Sequence, residues 1–355
     1  METPKVRSIL AFLWFCSSPC SLVPCSMKRD NLTWVDEFVL LGLSSDRQTQ
    51  AGLFALFGAI YLLTLLGNGL IILLIQLDPR LHLPIYFFLY NLSVVDICYT
   101  SSGVPQMLVH LLMEKKTISF ARCGTQLFFS LALAGTEFLL LATMAYDRYV
   151  AVCDPLHYVA AMSPRCCKGL AAVAWLVGVA NSAVETAVTL RLPTCGHRVL
   201  NHVVCETLAL VRLACVDITL NQIVIMASGV VVLLVPCCLV SLSYVHIMAT
   251  ILRIRSTGGR RKAFGTCASH LTVVSMSYGI ALVTYMQPHS TASAGQDKLV
   301  VVFYAVVTPM LNPLIYSLRN KEMKAALSRV LMRSSEWNIR TDFVVGVCMC
   351  VFVHV

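Results

Sequence analysis

MAYDRYVAVC, residues Met144–Cys153, places an acid and a base, Asp147 and Arg148, between two tyrosines at the end of a long apolar run. A bare Asp-Arg-Tyr tripeptide says little. Here it closes an apolar segment that begins just after Cys123. The 24 residues from Cys123 to Asp147 rise about 36 Å as a helix at 1.5 Å per residue, enough for a hydrocarbon core and its headgroup zone. Ionised groups belong at such a place only where they are paired, wet or functional. The pair therefore marks a helix end at a membrane surface, a switch, or both.

The rest of the chain is equally apolar. Of 355 residues, 57% are hydrophobic and 13% charged, about half the roughly 25% charge of a soluble domain. Seven stretches reach the ~20 mostly apolar residues that a bilayer demands: Leu53–Ile75, Pro84–Pro105, Gln126–Tyr146, Leu170–Thr189, Ile223–Thr250, Phe264–Met286 and Lys298–Leu318. In lipid the backbone must satisfy its own hydrogen bonds, and these runs are too long and too uniform for barrel strands. The fold expected is an all-α membrane protein, a seven-transmembrane helix bundle. The net charge of +9 is unevenly placed. Arg253–Lys262, RIRSTGGRRK, carries five bases and no acid, and the tail Arg319–Arg333 sets Lys321, Lys324 and Arg329 against Glu322. Such bases lie on the cytoplasmic side. That puts the C-terminus in the cytoplasm and, with an odd number of spans, the N-terminus outside. The bases also suit lipid headgroups; with no soluble basic domain, a nucleic-acid partner is not expected.

Four regions follow. Residues 1–26 form an extension, either a signal-like segment or sequence upstream of a start at Met27. Residues 27–52 form an extracellular N-terminus with an N-glycosylation acceptor at Asn31-Leu32-Thr33. Residues 53–318 form the membrane domain, and 319–355 a cytoplasmic tail. The apolar end of that tail, Phe343–Val355, is too short to span, and Cys348 or Cys350 is a candidate for acylation.

Within the spans, ionisable residues are commitments. Asp96 and Glu137 lie deep, and with Asn68 and Asn312 they are expected to form one polar cluster; Glu185 falls near the outer end of its span, within reach of water. Two close carboxylates would share a proton or a cation, since both cannot ionise cheaply. Pro236, Pro309 and Pro313 should bend their helices. Of 16 cysteines, Cys123, Cys195, Cys205 and Cys215 fall outside the membrane, where two bridges are expected and three pairings are open. No catalytic constellation, phosphate-binding glycine loop or zinc spacing is present, so the chain is not read as an enzyme.

LHLPIYFFLYNLS (Leu81–Ser93), MAYDRYVAVCDPLHY (Met144–Tyr158), SY (Ser243-Tyr244), KAFGTCASHL (Lys262–Leu271) and PMLNPLIYSLRNKE (Pro309–Glu322) follow one another in order. Together they resemble the odorant receptors, the olfactory branch of the rhodopsin-like (class A) G-protein-coupled receptors. The long external loop resembles their tetrapod-type class. The resemblance covers about Asn31 to Leu331. Gly265, Ser277 and Asp154 depart from the pattern, which bears on expression and basal activity.

The resemblance implies bridges Cys123–Cys205 and Cys195–Cys215. It implies a coupling switch made of Asp147, Arg148 and Tyr149, with Tyr244 and Tyr316 receiving Arg148 on activation. It implies no cofactor beyond a sodium ion at Asp96 and Glu137 in the resting state. Its ligand pocket would involve Ser130, Leu131, Ala134, Gly135, Ser228, Val232, Ala281, Tyr285 and Val302, between the third, fifth, sixth and seventh spans. Ala134 and Gly135 could equally serve helix packing. No acid lies near Ser130 and none of the set is charged, which favours a small, neutral, volatile ligand. The partner implied is a stimulatory, olfactory-type heterotrimeric G protein that raises cyclic AMP, and the location is the plasma membrane, in olfactory sensory cilia. The alternatives are the same fold used for a non-volatile metabolite elsewhere in the body or, in another class, a transporter or channel.

Overall fold

The computed structural model describes residues 35–286 and 294–332. Asn31, Cys348, Cys350 and the N-terminal extension lie outside them. Helices α1 (Arg47–Leu77), α2 (Pro84–Leu112), α3 (Phe120–Cys153), α4 (Pro164–Leu190), α5 (Thr219–Arg253), α6 (Thr257–Met286), α7 (residues 294–319) and α8 (Lys321–Met332) follow in order. Their starts are written in the chain. Asp46, Ser119 and Ser163 accept hydrogen bonds from backbone amides in the first turns of α1, α3 and α4, and Pro84 and Pro164 occupy first-turn positions where no amide is needed.

Helix α3 is the axis, packing against α2, α4, α5 and α6. Its most apolar stretch is 56% buried, against 22–39% in α1, α4, α5 and α7. Those outer helices turn Leu62, Leu66, Leu176, Val245 and Leu299 outward, an arrangement that suits lipid and would be costly in water. Five helices (α1, α3, α4, α5 and α7) are long and apolar enough to cross a membrane. In α2 the apolar run is broken by inward-facing Ser93, Asp96, Thr100, Ser101 and Ser102, and in α6 the apolar part is the shorter stretch Cys267–Leu282.

Small residues set the helix spacing. A side chain at Gly67 of α1 would meet the ring of Pro313 in α7 at 2.9 Å, and one at Gly178 of α4 would run into Thr136 of α3. Pro236 and Pro309 each follow a change of winding. A π turn, Val230–Leu234, stands just before Pro236, and another, Phe303–Val307, just before Pro309. Proline removes the amide that would bond four residues back and crowds that carbonyl; a wider turn relieves both.

The all-α expectation is corrected at the outer end. Strands β1 (Glu37–Leu40), β2 (Thr117–Ser119) and β3 (Val199–Leu200) form a small sheet in the order β2-β1-β3. β1 runs antiparallel to β2, with Phe38 opposite Ile118, and parallel to β3, with Leu40 opposite Leu200. Phe38 and Leu40 alternate inward and pack with Ile118, Leu127, Leu200 and the Cys123–Cys205 pair.

Candidate functional site

Beneath this cap lies a cavity of about 170 Å³. That is close to the ~150 Å³ apolar hole that takes up benzene and small beside the ~300 Å³ and upward of drug-sized sites. Its roof is the loop Val203–Leu208, and its walls include Met107 of α2, Leu127, Ser130, Leu131 and Ala134 of α3, Ile225 of α5, Ala281 of α6 and Val302 of α7. Its floor is aromatic. Tyr304 stacks on Phe138 with centroids 6.1 Å apart and meets Tyr99 edge-on at 5.7 Å.

Of the nine residues proposed from sequence, Ser130, Leu131, Ala134, Ala281 and Val302 line the cavity. Gly135, Ser228 and Val232 do not. Gly135 faces Gly178 and Val232, each 3.5 Å from where its Cβ would stand, so these two pack helices. Tyr285's side chain lies outside the described residues. The walls also draw on α2 and on α4, which contributes Glu185. This corrects the placement of Glu185 in water: it is 3% exposed, accepting from Thr207 Oγ1 at 3.1 Å and from Ser228 Oγ at 2.7 Å. Ser228 in turn accepts from Asn181 Nδ2 at 2.7 Å. The expectation of an uncharged set missed two acids, Glu185 from α4 and Glu206 from the roof.

Below the cavity the expected polar residues divide into separate hydrogen-bonded sets, although Glu137 stays near enough to Asp96 for their charges to act on each other. Asn312 Nδ2 donates to both carboxyl oxygens of Asp96, at 3.1 and 3.0 Å, whereas Asn68 Nδ2 donates to the carbonyl of Pro309 at 3.1 Å. Glu137 instead accepts from Ser277 Oγ at 3.3 Å and from Tyr304 OH at 3.0 Å. The amide oxygens of Asn68 and Asn312 are buried with no hydrogen-bond partner among the described residues.

At the inner end, Arg148 Nε donates to Asp147 Oδ2 at 2.9 Å, and a second guanidinium nitrogen touches the same oxygen. The other oxygen accepts from Tyr158 OH at 2.8 Å, and Asp147 is wholly buried. Tyr244 OH bonds to His270 Nδ1 at 2.7 Å rather than to Arg148. Tyr316 OH is buried with no hydrogen-bond partner among the described residues. Tyr149 packs between Tyr146 and His246, with centroids 6.4 and 5.9 Å away.

This layered arrangement has close counterparts. The olfactory receptor family model matches residues 57–334. The chain belongs to the olfactory receptor family. Olfactory receptor 2F1 of Homo sapiens is 58% identical over 309 residues, which cover 87% of this chain and 98% of that one. Olfactory receptor-like protein OLF3 of Canis lupus familiaris is 58% identical over 305 residues, 86% of this chain and 96% of its own. Among solved structures, squid rhodopsin matches with a TM-score of 0.64 at 18% identity, over 86% of this chain and 91% of that chain, which shows the fold. The protein is a G-protein-coupled receptor and not an enzyme.

In this olfactory receptor, Cys123 is bridged to Cys205 with Cα atoms 5.5 Å apart, and Cys195 to Cys215 at 6.1 Å. The first bridge ties the roof of the cavity to α3. The receptor's tail also has a firmer attachment than headgroup contact: Arg329 of α8 donates to Asp78 in the turn after α1, with Nε at 2.9 Å, and this bond holds the Asp78 carboxyl below its usual range. Tyr86 OH and Asn320 Nδ2 join α2 to the start of α8 at 2.9 Å. Sequence reasoning passed over Tyr158, His270, Tyr304 and Ser277. Tyr158 and His270 stand inside quoted motifs, and Ser277 was noted only as a departure from the family pattern.

Proposed function

We propose that this receptor crosses the membrane seven times with its N-terminus outside and detects a small volatile molecule in the outer cavity. Binding there shifts the population towards a state that activates a stimulatory, olfactory-type G protein and raises cyclic AMP. The plasma membrane of sensory cilia is the expected site of action. The observation that carries this reading is the continuity between cavity and switch. Tyr304 and Phe138 form the cavity floor, Tyr304 is bonded to Glu137 on the same helix as Asp147, and Tyr278 OH donates to the carbonyl of Phe138 at 2.7 Å.

A ligand that presses on this aromatic floor acts on α3, α6 and α7 at once. It shifts the equilibrium only by as much as it prefers one state over the other. The present geometry suits the resting side: Arg148 is closed on Asp147, and Tyr244 and Tyr316 do not hold it. Release of Arg148 would leave Asp147 to Tyr158 and open a cationic contact for the G protein.

The layer around Asp96 suits a hard cation, because its donors are all oxygen: the carboxyls of Asp96 and Glu137 and the unbonded amide oxygens of Asn68 and Asn312. A sodium ion bound there would neutralise buried carboxylate charge and favour the resting state.

The test is a cyclic AMP reporter in cells that carry the receptor at their surface, challenged with a panel of small volatile compounds. A concentration-dependent response that vanishes with Arg148→Ala supports the reading. A ligand-gated current that persists without G protein would replace it with a channel.

A further inference from the structure

Glu185 is an acid in the wall of a largely apolar cavity, and no lysine or arginine lines that cavity among the described residues. It is 3% exposed, so water does not solvate it freely, and no salt bridge reaches it among the described residues. Two hydroxyls, Thr207 and Ser228, bond to its two oxygens. The direction of one bond is fixed by its neighbour: Asn181 Nδ2 donates to Ser228 Oγ, so the Ser228 proton goes to Glu185. A carboxylate has about four acceptor positions, so roughly half its capacity stays open at the cavity wall. Burying such a group without a full set of partners is costly, and a bound donor would relieve that cost.

Several other polar groups around the space are already engaged, and Ser130 of α3 adds a neutral hydroxyl to the lining. Ser102 Oγ donates to the Tyr99 carbonyl at 2.7 Å, and Tyr304 OH donates to Glu137. Glu206, also in the lining, has His202 Nε2 at 3.1 Å. We infer that Glu185 is the polar anchor of the cavity and that it selects ligands whose head group donates a hydrogen bond, an alcohol or a primary amine on a short apolar body. This rests on the odorant-receptor reading above and narrows its ligand class from small, neutral volatiles in general to hydrogen-bond donors, primary amines included.

The experiment compares matched compounds in the cyclic AMP assay: straight-chain primary alcohols and amines of four to eight carbons, each against the methyl ether of the same skeleton. A hydrogen bond to the Glu185 carboxyl supports a preference of about tenfold in the concentration for half response. Glu185→Met keeps the length and removes the acceptor, so the preference should fall to near parity; Glu185→Gln should weaken the amines more than the alcohols. Surface labelling accompanies both variants, and if neither reaches the surface, the wild-type ranking decides alone. Ethers that match or exceed the alcohols and amines overturn the inference while leaving the receptor reading intact. A donor preference that survives in Glu185→Met at the surface removes Glu185 as the anchor. No response from any compound at a surface-expressed wild type brings down the receptor reading and this inference with it.

Discussion

At the outer end of the receptor, α3 is joined to the loop above it by a covalent bond, Cys123–Cys205, and the N-terminal strand is stitched to that loop by backbone hydrogen bonds. At the inner end, α3 meets its neighbours through side chains alone. Asp147 is held by Arg148 and Tyr158, and Tyr244 by His270. The first kind of closure has one arrangement. The second consists of bonds each worth about 1 kcal/mol net, which can be exchanged for others of similar strength. A detector needs both, a frame that keeps the binding space in shape and a far end cheap to rearrange.

The largest effect should come from breaking the covalent side. Cys205→Ser should cost about 2–5 kcal/mol of stability and remove most of the receptor from the cell surface, read by surface labelling and by a thermal melt in detergent. A melt unchanged from wild type would mean that the sheet, and not the bridge, closes the outer end. Next, Arg148→Ala should reach the surface yet lose the cyclic AMP response altogether; full signalling would deny the inner pair its role. Tyr158→Phe removes one bond of about 1 kcal/mol from the resting arrangement and should raise basal cyclic AMP about fivefold, with surface level unchanged. A lower basal signal would place Tyr158 on the active side instead. The smallest effect concerns the layer between the two ends. Replacing sodium by choline should lower the melting midpoint by a few degrees and sharpen agonist response slightly; indifference on both readings would leave Asp96 and Glu137 as a hydrogen-bonded layer without an ion.

The inner end was largely legible in the sequence, because its parts lie close together in the chain or in long motifs: Asp147 beside Arg148, Tyr244 after Ser243, Tyr316 within PMLNPLIYSLRNKE. The apolar runs likewise marked the long helices, since length and hydropathy are local properties. What could not be read depends on registration between distant segments. Glu185 looked solvated because its depth was judged along α4 alone; only the loop residue Thr207 and Ser228 of α5 show that it is enclosed. Glu137 was grouped with Asp96 by depth, but the rotation of α3 aims it at Ser277 and Tyr304. The strand Glu37–Leu40 has four residues with little alternation to notice, and its partners lie some 80 and 160 residues away in the chain.

The π turns before Pro236 and Pro309 carry a consequence for how the two ends talk. A π turn accommodates one residue more than an α turn, and one residue is worth about 100° of rotation around a helix axis. In α5 that surplus residue lies between Ile225 at the cavity and Tyr244 at the switch, whereas in α7 the π turn carries Tyr304 and so forms part of the cavity floor itself. Deleting it from α5, or expelling it into ordinary winding, would turn Tyr244 away from His270 while leaving Ile225 at the cavity wall; the same change in α7 would turn the cavity floor as well. Helix α5 thus contains a built-in phase offset between its cavity face and its switch face, and in α7 the offset is built into the cavity floor.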